Sequence, residues 1–354
     1  MNRSILGLLC DPETGESLEL DVVEAGDEQG DWIEEGWLVS PSSRRYPIRG
    51  GIPRFLSDVA TGHAPASVAT QGSVDSFGDE WNEFNFIEFR QNWLDHTVKN
   101  TFGDVSHFEG KLVVDAGAGS GAQTRWMLEA GASHVIALEL SHSVDGVILR
   151  NLAGEDRSRF DIIQCSIDAP PLRPRAIEGI VYCCNVIQHT PSVEGTAEAL
   201  FETVGPGGEF VFNCYQLNDY GFIRWVRLHL IYRPLRSVLS RCSFRTIKAY
   251  ASAFATLRMV PGLGLFMEKC GFGAQGDVPA ITGESRQQYR RRRYRAARLN
   301  TFDGFGSHTF QHLKSDDDIR ALVKSLQPNA SFVLNTETYF KRPPPIGCAL
   351  RILR

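Results

Sequence analysis

Val113-Val-Asp-Ala-Gly-Ala-Gly-Ser-Gly121 sets an apolar strand, an acid and three alternating glycines directly before Ala122 to Glu129, a segment of helical length. Glycines at 117, 119 and 121 permit a tight turn and let a ligand approach the backbone closely. The spacing differs from the dinucleotide fingerprint G-x-G-x-x-G, because the third glycine comes one residue early. That difference has a chemical consequence. A dinucleotide loop sets a pyrophosphate on a helix N-terminus, whereas Asp115 at the strand end would repel phosphate and suits a cationic or amino-bearing ligand. A second acid, Glu139, ends the next strand 22 residues after Gly117. This is near the offset of about 20 at which an acid binds ribose hydroxyls.

Around this loop the pattern alternates. Leu112 to Asp115, Val135 to Leu140, Asp161 to Ile167, Gly179 to Asn185 and Glu209 to Cys214 are apolar runs of strand length, separated by helical segments such as Val193 to Val204. Near-continuous apolar strands between helices predict an α/β fold, a doubly wound, mostly parallel sheet covered on both faces. Before it, Gly36 to Val39 and Tyr46 to Pro53 predict a small β module over 1–56. Ser57 to Ser73 has the composition of a linker, so 57–109 reads as linker and helical extension, leading into a core over 110–216. An insertion over 217–300 reads as amphipathic helices interrupted at Pro234, and 301–354 as a helix capped by Ser315 followed by a closing β-hairpin.

Hydrophobic residues at 42% and charged residues at 22% are ordinary for a globular chain, which excludes a disordered or fibrous protein. No run approaches the roughly 18 apolar residues of a membrane span, and Ile5 to Cys10 is too short for a signal-peptide core, so a cytoplasmic protein is expected. Eight cysteines without a C-x-x-C pair predict reduced, mostly buried thiols. The net charge of -5 conceals a division: residues 1–219 carry 14 Lys/Arg and 34 Asp/Glu, whereas residues 220–354 carry 23 and 8. Tyr220 to Met267 holds eight Arg/Lys and no acid, and Arg286 to Arg298 holds seven arginines in thirteen residues.

As a set, Asp115-x-Gly117-x-Gly119-x-Gly121, Glu139, Gln188-His-Thr-Pro191 and Gly205-Pro-Gly-Gly208 resemble class I S-adenosylmethionine-dependent methyltransferases, especially those acting on small molecules or lipid-like quinols. The likeness spans about Lys111 to Tyr215, and is weaker at Ser76-Phe-Gly-x-x-Trp81 and in the C-terminal hairpin. It implies a seven-stranded Rossmann-like sheet and S-adenosyl-L-methionine as cofactor. It further implies that Asp115 and the glycine loop hold the amino-acid part, that Glu139 holds the ribose hydroxyls and that Asn185 lines the methionine portion. For the adenine, Ser166 stands where the family usually has an acid and Asp168 lies two residues late. Either Ser166 with the Ile167 backbone serves, or a local shift presents Asp168. The N-terminal segment resembles a small zinc-ribbon-like domain found with methyltransferases. Only Cys10 stands at its metal positions, so a metal-free relic is expected.

Methyl transfer to oxygen or nitrogen calls for a general base where the acceptor is weakly acidic. His189, just past the fourth strand, is the first candidate, against a plain loop histidine bonded to backbone. His308 and His312 form a second pair. The basic half admits three readings: contact with anionic membrane around a lipid-like acceptor, a nucleic-acid patch, or solvated helices paired with the acidic half. The expected function is therefore methyl transfer to a small-molecule or lipid-like acceptor, at oxygen or carbon. The alternatives are an RNA methyltransferase, an inactive binding module and, more distantly, an NAD-dependent oxidoreductase.

Overall fold

In the computed structural model, residues 1–56, 77–217, 222–272, 278, 280, 281, 283–306, 310–328, 333–342, 344, 345 and 347–354 are described; the linker expected at Ser57 to Ser73 lies outside them. The core strands are β5 (Leu112–Ala116), β6 (His134–Glu139), β7 (Phe160–Cys165), β8 (Ile180–Cys183) and β9 (Glu209–Phe212). All are parallel to their core-strand neighbours, in the order β7-β6-β5-β8-β9. Near-complete burial of these strands explains why they are mostly apolar. Beyond β9, β10 (Tyr215–Gln216) and β11 (Leu313–Lys314) pair in parallel as a separate ribbon, and the chain returns to the main sheet as β12 (Val333–Leu334) and β13 (Leu350–Leu353), β13 running antiparallel to both neighbours. The chain order reverses between β5 and β8, the switch point beside which open α/β sheets bind ligands.

The sheet is larger than the seven strands expected. β1 (Glu19–Ala25), β2 (Ile33–Val39), β3 (Arg45–Arg49) and β4 (Ile52–Phe55) form an antiparallel meander, and β4 pairs in parallel with β7, making eleven strands in all. The N-terminal segment thus extends the core sheet through β4. It covers an edge that would otherwise leave backbone groups unpaired. Asn2 reinforces the junction, its backbone N–H donating to Asp161 Oδ1 at 2.7 Å and its side-chain Nδ2 to the Phe160 carbonyl at 3.0 Å. The turns bearing Cys10 and Ser40 are tied together by Asp11, which accepts from the backbone of Glu13 at 2.9 Å, the Tyr46 hydroxyl at 3.1 Å and Arg44 at 3.2 Å. Among the described residues no group of three or more His, Cys, Asp or Glu is placed to hold a metal ion, and the zinc-ribbon likeness is not supported. The eight cysteines are free thiols, six of them buried.

Two further expectations need correcting. The insertion stays helical across Pro234, because Phe222–Val226 passes through a π-helical Arg227–Tyr232 into Arg233–Leu239, whose first turn tolerates proline's missing N–H. The closing hairpin is confined to a two-residue pairing of β12 with β13. Asn335, at φ +67°, turns the chain into a short helix Thr336–Tyr339, and Asn335 Nδ2 donates to the Thr101 carbonyl at 2.7 Å. Three helices of the insertion concern the site and the surface: α3 (Phe244–Arg258), α4 (Leu263–Cys270) and α5 (Arg286–Phe305). Ile247, Ala251 and Phe254 lie on the buried stripe of α3, and the first two join Leu299 and Phe302 of α5 in a small core with Phe84. Part of the arginine run does pair with the acidic half: Arg298 reaches Glu83 at 2.9 Å, and Arg295 contacts Glu88.

At the base of the sheet the Glu209 carboxylate receives His107 Nε2 at 2.9 Å, Arg351 at 2.8 Å and Lys111 at 3.3 Å. Burial works against its ionisation, but His107 and Arg351 hold its pKa down to about 2. This cluster joins β9 to the reversed β13 and to the entry of β5. Glu209→Gln is therefore expected to cost about 3 kcal/mol at pH 7, read as a lowered urea midpoint, because Arg351 and Lys111 lose their counter-charge. A depressed carboxyl contributes stability that disappears as pH falls through its folded pKa, so the difference should close toward pH 2.

Candidate active site

Asp115 is the penultimate residue of β5, and Gly117 and Ala118 then donate to the Leu138 carbonyl at 2.8 and 3.0 Å, folding the loop back onto β6. Gly117 at φ +82° and Gly119 at φ +58° adopt backbone conformations that side chains disfavour. A Cβ would lie 2.4 Å from Val186 Cγ1 at the first and 2.9 Å from Trp81 Cε2 at the second. Gly121 then leads into α1 (Ala122–Glu129). Thus the three alternating glycines serve close approach as well as turning.

The two acids of the loop are buried. Asp115 Oδ2 accepts the Thr124 hydroxyl at 2.6 Å; burial pushes its pKa up to about 6, with the Glu139 charge adding to the rise. Glu139 accepts from the Gly119 N–H at 2.8 Å and from the Ser141 N–H at 2.8 Å; burial raises its pKa, and these bonds oppose the rise. A pair of buried, reluctantly ionised carboxyls is an environment that a positively charged ligand would relieve.

Above the loop opens a partly enclosed cleft, the kind of concave surface on which small-molecule sites are built. Its wall includes Gly117, Glu139, Ser166, Ile167, Asp168, Asn185 and His189. Asp115, Gly119 and Gly121 stand behind that wall, and Asp115 is only 3% exposed. Ser166 and Asp168 arrive together: Ser166 Oγ donates to Asp168 Oδ2 at 3.2 Å, and the Thr196 hydroxyl, from the helix α2 (Val193–Thr203), donates to Asp168 Oδ1. Asn185, at φ +63°, donates its N–H to Asn213 Oδ1 at 2.6 Å and accepts from Asn213 Nδ2 at 3.0 Å. This side-chain clasp holds the end of β8 against the segment after β9.

His189 Nδ1 lies 3.0 Å from the Phe310 carbonyl, which can only accept. The bond therefore fixes the proton on Nδ1, and in the neutral ring the lone pair belongs to Nε2. Phe77 and Tyr215 meet the imidazole edge-on, with centroids at 5.3 and 5.5 Å. The Tyr215 hydroxyl donates to Asp303 Oδ2 of α5 at 3.2 Å, and burial with the Asp303 charge raises its pKa far above the ordinary range. His312 is committed elsewhere, its Nε2 donating to the Thr190 carbonyl at 3.0 Å, and His308 lies outside the described residues.

Phe77, Trp81, Val186 and Phe310 also line the cleft, although no pattern of composition or spacing marked them as such. Phe77-Gly-x-x-Trp81 was visible only as a weak family likeness. It forms part of a helical turn over 77–83 whose rings stack at 6.4 Å.

Residues 114–212 match the family described as a methyltransferase domain. A ubiquinone biosynthesis O-methyltransferase of Aromatoleum aromaticum is 29% identical over 134 residues, which is 38% of this chain and 53% of that protein. One from Paraburkholderia phytofirmans is 32% identical over 119 residues, covering 33% of this chain and 50% of that protein. Among solved structures, an S-adenosylmethionine-dependent methyltransferase from Mesorhizobium loti aligns with 26% identity and a TM-score of 0.27 over 30% of this chain and 47% of that one. The chain spans about half the length of the curated relatives it matches. The glycine cradle and both buried acids lie within residues 114–212, the segment that matches the methyltransferase domain, and S-adenosylmethionine is the cofactor that this match implies.

Proposed function

We propose that the protein transfers a methyl group to an oxygen or carbon of a small-molecule or lipid-like acceptor. The observation that carries this reading is the placing of His189 and Glu139 on the wall of one cleft. Bound S-adenosylmethionine supplies an electrophilic methyl group on a sulfonium. Glu139 keeps spare lone pairs on both oxygens for ribose hydroxyls after receiving Gly119 and Ser141. Ser166, Ile167 and Asp168 border the adenine end, and Gly117 and Asn185 the methionine end. Asp115 acts from behind the loop, through its charge and its hold on Thr124. His189 takes the proton of an acceptor hydroxyl on Nε2, while the Phe310 carbonyl steadies the imidazolium through Nδ1–H. The acceptor chamber is walled by Phe77, Trp81 and Phe310, which suits a flat or apolar molecule. The matched relatives named for ubiquinone biosynthesis point the same way.

Calorimetric titration with S-adenosylmethionine, its demethylated product and NAD tests the cofactor assignment. The first two should bind in the micromolar range and NAD should not. Glu139→Ala should weaken binding about tenfold or more, the worth of a charged hydrogen bond; binding of NAD alone, or of none of the three, overturns the reading.

Affinity should also follow pH with a definite sign. A cationic ligand prefers the ionised acids, so binding strengthens as pH rises through the raised pKa of Asp115, about 6, by roughly tenfold between pH 5 and 7.5. Asp115→Asn should flatten that profile, and an unchanged slope would show that Asp115 does not feel the ligand. For the base, His189→Ala should leave cofactor binding intact and lower kcat about a hundredfold. Loss of cofactor affinity in this variant would instead mark His189 as part of the binding wall.

A further inference from the structure

Ten of the thirteen exposed large apolar side chains among the described residues lie between positions 222 and 272. Val260, Leu263 and Phe266 are at the tip where α3 turns into α4, and Phe266 is 62% exposed. Beside this tip runs an open groove whose floor is one face of α5, with Arg286, Arg290 and Arg291 along it and Met259, the residue preceding Val260, on its far side. These three arginines are exposed and form no ion pair or hydrogen bond among the described residues, unlike Arg292, Arg295 and Arg298 of the same helix, which are paired with Glu284, Glu88 and Glu83. Of the seven arginines in this run, Arg292, Arg295 and Arg298 thus fasten the helix through ion pairs, and Arg286, Arg290 and Arg291 face outward.

An apolar tip contiguous with unpaired cations is the chemistry of an interfacial element, in which apolar side chains enter the acyl boundary while cations meet lipid phosphates. We propose that this face of the insertion docks on an anionic phospholipid surface. A nucleic acid would satisfy the arginines and leave Val260, Leu263 and Phe266 in water. The acidic half of a second copy would satisfy the charge but offers little apolar surface, since Val22, Val23 and Leu217 are its exposed large apolar residues among those described. The proposal adds a partner to the methyl-transfer reading and rests on that reading only where it favours a lipid-like acceptor. Vesicle binding is measured without cofactor or acceptor, so either can fail alone.

The test is co-sedimentation of the full chain with vesicles of phosphatidylcholine containing about a third phosphatidylglycerol, against phosphatidylcholine alone. Binding is expected to the anionic vesicles and to fall with added salt. Arg290→Gln and Arg291→Gln should each weaken it about fivefold, and Phe266→Ser about tenfold, the loss of a buried aromatic side chain. All three positions are exposed, so circular dichroism and S-adenosylmethionine titration should match the parent protein. Equal affinity for neutral vesicles, or no loss in the Phe266→Ser variant, overturns the proposal. So does RNA retention without vesicle binding, or a dimer in analytical ultracentrifugation that Phe266→Ser dissolves.

Discussion

One buried carboxylate pins two backbone segments at once: Glu139 Oε2 accepts the Gly119 N–H of the glycine loop, and Oε1 accepts the Ser141 N–H of the turn after β6. Without an acceptor at that point, two backbone donors would be buried unpaired. The bond also explains why the chain tolerates two acids so close together in a desolvated place. Asp115 and Glu139 are each raised by burial, yet each is given donors, Thr124 for the first and backbone amides for the second. The remaining imbalance is negative. A cationic ligand arriving at the cleft would therefore meet a field already organised for it, with little reorganisation left to do.

The strand and helix order of the core was legible because fully buried parallel strands have a clear signature. β5 to β9 are mostly apolar, and the Ala122 helix and the Ser315 cap lie where the pattern puts them. The N-terminal boundary was not legible. A meander of short strands looks the same whether it folds alone or extends a neighbouring sheet, and here Arg54 and Phe55 pair with Gln164 and Cys165 while Asn2 bonds to Asp161. Likewise Pro234 reads as a break by local rules, but a π-helical turn ahead of it moves the hydrogen-bond ladder and lets the helix continue.

In the site, the residues with distinctive chemistry were visible and those with only shape were not. Glu139, Ser166, Asp168, Asn185 and His189 were marked by position after strands, and the cleft brings them together. Asp115 was marked too, but spacing does not reveal that its carboxylate would turn inward to Thr124. Phe77, Trp81 and Phe310 arrive from segments far away in sequence, and an aromatic residue in a helix or loop carries no label for the pocket it walls. The tautomer of His189 depends on the Phe310 carbonyl, a backbone group that no side-chain pattern encodes.

One helix ties the chemistry to the basic surface. Asp303 near the end of α5 accepts the Tyr215 hydroxyl beside His189, while Arg291 faces the outer groove twelve residues earlier on the same helix. At 1.5 Å rise per residue that separation is about 18 Å. This is shorter than an extended acyl or isoprenoid chain of ordinary length, so a molecule held by its tail in a bilayer under the groove could present its ring to the cleft without leaving the lipid. The Tyr215–Asp303 bond, partly buried, ties α5 to the segment that follows β9. Groove and cleft are thus joined by one helix, α5, whose earlier turns carry the outward arginines and whose last turn carries Asp303.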